Sequence, residues 1–250
     1  MSYVLQTRDL VKKFAGFLVT DSVNLNVAAG ARHALIGPNG AGKTTLINLM
    51  TGMLPPDSGQ IFLGGDDITR LAPQDRVRRG LARTFQINTL FPRLNALEAV
   101  TLAVEERRNL SSHFWVNLAS HKESIEEAYD ILSKLGLGED CYRPTRELPY
   151  GKQRLLEIAL ALATRPKVLL LDEPAAGVPQ EESGDVFEAV ANLSSDLTLL
   201  FIEHDMHVVF RFASHIIVLV GGAIFTEGTP AEIAADPGVR EVYLGKRKHG

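Results

Sequence analysis

The chain has 250 residues, 45% hydrophobic and 22% charged, with a formal net charge of −4 and a pI near 6.0. That balance supports a sizeable globular core and gives no overall electrostatic case for nucleic acid or an anionic membrane surface. A single cysteine, Cys141, excludes an intramolecular disulfide framework.

No secretory h-region opens the chain. The longest apolar runs, residues 158–163 and 216–220, fall far short of the roughly 18 residues needed to span a bilayer. The chain therefore reads as soluble on its own, with any membrane attachment supplied by a partner.

Residues 3–35 alternate polar and apolar in short pieces, as in Ser22-Val23-Asn24-Leu25-Asn26-Val27, a pattern that predicts antiparallel strands. Residues 32–36 read as a strand and residues 43–53 as a helix. Between them lies Gly37-Pro38-Asn39-Gly40-Ala41-Gly42-Lys43-Thr44. Gly at its first and sixth positions, then Lys and Thr, is the pattern of a phosphate-binding loop. Gly37, Gly40 and Gly42 let the backbone curl its N–H groups toward one anion. Lys43 adds a mobile point charge for the β- and γ-phosphates, and the Thr44 hydroxyl can ligate Mg²⁺. The helix that follows turns its positive end to the same place.

A turn at residues 57–59 precedes a strand over 60–63, and residues 81–85 read as another strand with Gln86 beyond it. A neutral amide there can ligate Mg²⁺ or the attacking water. Residues 95–104 and 122–135 have helical periodicity, with Gly136 as a cap, so the middle third reads as a helical insertion. A helix over 152–164 begins at Gly151 and offers a second anion-binding N-terminus.

Residues 168–171 form a buried apolar strand that ends in Asp172 and Glu173. Asp172 can hold Mg²⁺ through water, and Glu173 can polarise a water aimed at a γ-phosphate. After a helix over 181–193, a second buried strand over 198–202 ends beside His204, followed by a helix over 205–213 and a strand over 215–220. Strand–helix alternation with continuous apolar strands predicts a parallel sheet covered on both faces. His204 and His207 near Glu203 and Asp205 lack a further ligand at zinc-like spacing. The basic tail 246–249 reads as a solvated end.

These motifs, in this order, resemble the nucleotide-binding subunit of an ATP-binding cassette transporter over nearly the whole chain. Residues 37–44 resemble Walker A, Gln86 the Q-loop, residues 148–154 the signature motif, residues 168–173 Walker B, and His204 the switch histidine. Arg83-Thr84-Phe85-Gln86, Leu90-Phe91-Pro92-Arg93-Leu94, Glu173-Pro174-Ala175-Ala176-Gly177 and Glu241-Val242-Tyr243-Leu244-Gly245 narrow this to the branched-chain amino acid importer ATPases of the LivG-like family.

The resemblance implies a P-loop NTPase α/β core with a parallel sheet, an N-terminal antiparallel β-subdomain and an inserted helical subdomain. Residues 1–86 and 151–250 would form the core and β-subdomain, and residues from about 87 to 150 the helical insertion, in a single cassette domain. It implies ATP and Mg²⁺ as bound species. Asn39, Gly40, Ala41, Gly42, Lys43, Thr44 and Thr45 would hold the phosphates. Thr44, Gln86 and Asp172 would hold the metal. Phe14, with Phe17 second, would stack on adenine. Tyr150 and Gly151 would complete the nucleotide site of an opposing subunit. Glu173, His204, Gln86 and Lys43 would carry the chemistry.

The implied setting is a head-to-tail dimer, with a second ATPase or with itself, beneath a transmembrane permease at the inner face of the cell membrane. An extracytoplasmic solute-binding protein would act indirectly, and nucleic acid would have no part. The alternative within the same motif set is a cassette for lipopolysaccharide export or iron–sulfur cluster assembly. Two positions depart from the pattern. Pro149 stands where the signature usually has Ser, and Pro179 where the D-loop usually has an acid, which implies a weakened contact across the interface.

Overall fold

A computed structural model describes residues 3–84, 91–108 and 121–244. The chain opens with β1 (Tyr3–Phe14), β2 (Phe17–Val23), β3 (Asn26–Ala28), β4 (Arg32–Ile36), α1 (Lys43–Thr51), β5 (Ser58–Leu63), β6 (Asp66–Asp67), α2 (Pro73–Arg78) and β7 (Leu81–Arg83). Then come α3 (Ala96–Arg107), α4 (Lys122–Lys134), a 3-10 turn at Thr145–Glu147 and α5 (Tyr150–Ala163). β8 (Val168–Asp172), α6 (Gln180–Ala191), β9 (Thr198–Ile202), α7 (Met206–Phe212), β10 (His215–Val220), β11 (Ala223–Gly228), α8 (Pro230–Ala235) and α9 (Pro237–Leu244) follow.

Two sheets result. One orders its strands β11-β10-β4-β9-β8-β7, parallel throughout except for β11, which adds antiparallel at the β10 edge. The other orders β2-β1-β5-β6, with β3 also on β1, and is antiparallel.

The apolar strands divide their side chains between two cores. Leu169 and Leu171 join one, with Leu199, Phe201, Ile216, Val218 and the buried faces of α3, α5 and α6. Val168 and Leu170 join the other, with Leu200, Ile202, Ile217, Leu219, α1 and the antiparallel sheet. A strand buried on both faces is apolar on both, which is why residues 168–171 show no alternation before the strand ends in Asp172. Leu169, Leu170 and Leu171 are each fully buried. Burial of each side chain contributes about 2 kcal/mol.

The inserted helices are tied in by ions as well as packing. Asn95 and Glu98 form a capping box at the start of α3. Arg107 donates to both Glu127 oxygens, at 2.7 and 2.8 Å, and to the Ala163 carbonyl at 2.9 Å. Arg165 adds a bond to Glu127 at 2.9 Å. Glu127 thus joins α3, α4 and the end of α5. The Arg107 hydrogen bond, foremost among these contacts, holds its carboxyl down at about 2.

Several boundaries differ from the sequence pattern. The alternating run 22–27 is not one strand: β2 stops at Val23 and β3 starts at Asn26. Thr7 bridges the break, its hydroxyl donating to the Val23 carbonyl at 2.8 Å and accepting from the Leu25 N–H at 3.0 Å. Residues 32–36 lie in the parallel sheet, between β10 and β9, not among the antiparallel strands. α5 starts at Tyr150, because Pro149, with φ −52° and ψ 152°, serves as its N-cap without needing an N–H. Gln86 lies outside the described residues.

Candidate nucleotide-phosphate site

The loops that follow β4, β8 and β9 leave the same edge of the parallel sheet, the carboxyl edge where such folds hold ligands. After β4 the chain turns through Gly37 at φ 156° and reaches Gly42 at φ 99°, the residue before α1. A Cβ on Gly37 would sit 2.1 Å from the Leu219 carbonyl oxygen, and one on Gly42 2.5 Å from the Val19 carbonyl oxygen. Both glycines are demanded by space as well as by φ. Among the described residues no side chain caps α1, so its leading N–H groups are available to an anion.

Lys43 is buried, and its Nζ donates to the Gly37 carbonyl at 2.7 Å and the Pro38 carbonyl at 3.1 Å. Burial lowers its ammonium pKa, while the nearby Glu173 and Asp172 carboxylates raise it. Asn39, Gly40 and Thr44 are exposed, Thr45 is half-buried and Ala41 is buried. Ala41 pins the loop, its carbonyl accepting from the Gly222 N–H at 3.0 Å and its own N–H donating to Pro38 at 3.1 Å.

Asp172 and Glu173 arrive at the end of β8. Asp172 Oδ2 accepts from Arg83 Nη2 at 2.6 Å, with the Asp172 side chain 1% exposed. Its Oδ1 is buried without a hydrogen-bond partner among the described residues. A buried carboxylate oxygen left bare is costly unless something else meets it, and a hydrated divalent cation fits that need. Glu173 takes φ 49°, a left-handed conformation unusual for a side chain of its size. Its N–H donates to the Ile202 carbonyl at 3.1 Å, which ties the strained residue to β9. Its Oε1 lies 2.6 Å from His204 Nε2. Glu203, just before His204, is buried with its carboxyl pushed up by desolvation, and it accepts the His204 N–H at 3.1 Å.

The remaining predicted positions are distributed around this centre. Phe14 ends β1 and faces Phe17 across a two-residue hairpin, Ala15 (φ 48°) and Gly16 (φ 88°). Phe14 is 42% and Phe17 77% exposed. β2, which begins with Phe17, runs on to Val19 against the phosphate loop, so the aromatic tip flanks that loop. Tyr150 and Gly151 lie elsewhere. The Tyr150 ring packs on Gly177, and a Cβ on Gly151 would stand 2.8 Å from Glu182 Oε2. Arg154 stacks over Tyr150 at 5.4 Å and donates to the Ala176 carbonyl at 3.2 Å. The start of α5 is therefore locked to the loop after Glu173. Sequence reasoning treats Arg83 only as one residue of a family-like stretch; its ion pair with Asp172 is a tertiary contact without a local signal.

A phosphate loop, a strand-end acidic pair and a histidine converging at the carboxyl edge of a parallel sheet define a P-loop nucleotide hydrolase. The family description "ABC transporter" matches residues 20–176, and "Branched-chain amino acid ATP-binding cassette transporter" matches residues 224–249. The chain is 40% identical over 97% of its length to the high-affinity branched-chain amino acid transport ATP-binding protein BraF of Pseudomonas aeruginosa, covering 98% of that protein. It is 36% identical, with the same coverage, to LivG of Escherichia coli. Among solved structures it is similar to the ADP conformation of an ATP-binding cassette of an ABC transporter, with TM-score 0.85, 34% identity and coverage of 98% and 100%. A nucleotide-free ATP-binding cassette matches with TM-score 0.84, 34% identity and the same coverage. The chain belongs to the ATP-binding cassette family of ABC transporters, and within it to the branched-chain amino acid transport group.

Proposed function

We propose that this chain binds ATP with Mg²⁺ at the loop of Gly37, Gly42 and Lys43 and hydrolyses it to drive uptake of branched-chain amino acids or related small solutes. As a member of its family the chain is a transport ATPase. The observation that carries the catalytic assignment is the Glu173–His204 pair at 2.6 Å beside the buried Lys43.

The chemistry follows from the residues. Lys43 leaves the Gly37 and Pro38 carbonyls for the β- and γ-phosphate oxygens, a like-for-like exchange of acceptors that regains charge assistance. Asn39, Gly40, Ala41, Gly42 and Thr45 add backbone and hydroxyl donors, and Phe14 stacks on the adenine. Glu173 accepts the proton of the attacking water as it bonds to the γ-phosphorus, and the electrons of the breaking P–O bond pass to ADP. His204 holds Glu173 in place. Thr44, Asp172 and Gln86 would hold Mg²⁺, which when bound neutralises charge on the β- and γ-oxygens.

Tyr150 and Gly151 meet no residue of this chain's own phosphate loop in the contacts described above, which supports a composite site in which they complete a partner's nucleotide. That reading implies a head-to-tail dimer, with a companion ATPase favoured over a second copy. A permease would dock on the helices between residues 87 and 150 and hold the protein at the inner membrane face. No described helix is long and apolar enough to cross a membrane. An extracytoplasmic binding protein would deliver the solute.

The test is uptake by the complete transporter in proteoliposomes. ATP-dependent accumulation of labelled leucine, isoleucine or valine is expected. Steady ATP hydrolysis with no accumulation of any of the three would refute the solute assignment.

A further inference from the structure

Three elements meet at one guanidinium. Arg83 closes β7; its Nη1 donates to Asn48 Oδ1 on α1 at 2.5 Å, and its Nη2 donates to Asp172 Oδ2 at the end of β8 at 2.6 Å. The pair is shielded from water, with side-chain exposures of 10% for Arg83 and 1% for Asp172. Asn48 lies four residues after Thr44, one turn along the same face of α1. Asp172 keeps its other oxygen, Oδ1, buried and without a hydrogen bond among the described residues.

We infer that Arg83 is the positioning residue of the cation site: its planar fork fixes Asp172 by Oδ2, leaves Oδ1 for the hydrated cation, and holds α1, which carries Thr44, in register with β8. The inference rests on the Mg²⁺ reading of Asp172 and Thr44 proposed above. Two different nitrogens of the planar guanidinium meet the two acceptors, a divided geometry that the compact ammonium of a lysine does not reproduce. Charge and geometry predict opposite signs here. A cation beside Asp172 repels Mg²⁺, so an Arg83 that acted by charge alone would weaken metal binding, and its removal would strengthen it. An Arg83 that acts by orientation strengthens metal binding, and its loss weakens it.

The experiment uses the full chain carrying Glu173→Gln to stall hydrolysis, with ATP binding followed by calorimetry in EDTA and across a Mg²⁺ titration. Arg83→Lys retains the charge and loses the bridge; Asn48→Ala loses the bridge at its other end with no change of charge. Each is expected to leave ATP affinity in EDTA within about twofold and to raise the half-saturating Mg²⁺ concentration by about tenfold or more. An unchanged or lower Mg²⁺ requirement in both variants would overturn the inference. Should Arg83→Lys fail to fold, Asn48→Ala decides alone. If the parent chain itself binds ATP with no Mg²⁺ dependence, the cation reading of the site fails and takes the inference with it, a result distinct from a Mg²⁺-dependent parent with unaltered variants.

Discussion

Glu173 Oε1 and His204 Nε2 face each other at 2.6 Å from the ends of two adjacent parallel strands. The register that pairs Asp172 with Ile202 sets this approach, and the Glu173 N–H bond to Ile202 holds the left-handed turn that aims the carboxylate. Backbone strain of this kind costs on the order of 1–3 kcal/mol and persists only where neighbours enforce it. Here β9 supplies the enforcing carbonyl, and the turn that follows it supplies the histidine.

His204→Ala removes the group that orients Glu173 and leaves the phosphate loop intact. Turnover at saturating ATP is expected to fall about 100-fold, with ATP affinity unchanged. Steady-state phosphate release and calorimetry on the same preparation check both halves. A parallel loss of affinity would place His204 in binding, not in the hydrolytic step.

Gly37→Ala tests the steric demand of the loop. The added methyl meets the Leu219 carbonyl at 2.1 Å, and the backbone must shift. A loss of about 3 kcal/mol in unfolding free energy is expected, against about 1 kcal/mol for Gly40→Ala. Gly40 also has a positive φ, of 79°, but among the described residues nothing lies within 4 Å of its would-be Cβ. Denaturant midpoints rank the two.

Glu127→Gln tests the ionic tie between the helices and the core. The folded carboxyl sits near 2, below its ordinary 4.5, so the native state releases this proton more readily than the unfolded chain. Its stabilisation is fully present above pH 4.5 and is lost as pH falls toward 2. With solvent screening counted, the contribution is about 1–2 kcal/mol. The variant is expected to be less stable at pH 7 and to lose less on acidification; denaturant midpoints from pH 7 to 3 measure both.

The elements proposed to carry the chemistry are legible in the sequence because their signals are local. Gly37 to Thr44 announce themselves by spacing, and Asp172 and Glu173 by an apolar run that stops at two acids. The family and the fold class are those the motifs imply. Much else was not legible. β11 alternates only partly and joins as the antiparallel edge of the sheet. α2 is six residues long and carries Arg76, which looks like a surface residue but is buried, giving its donors to the carbonyls of Leu49, Met50, Thr69 and Leu71. The Arg83–Asp172 pair joins residues 89 apart in sequence. Such contacts depend on strand order, which no local pattern states.

Glu173 is the proposed hydrolytic base of a site whose phosphates rest on Lys43. ATP hydrolysis and ATP binding measured together on Glu173→Gln test this assignment most directly, with Lys43→Ala as the contrast. The Gln variant is expected to bind ATP as tightly as the parent and to turn over at least about 100-fold more slowly, while the Ala variant loses affinity. Hydrolysis by Glu173→Gln at the parent rate would contradict the account.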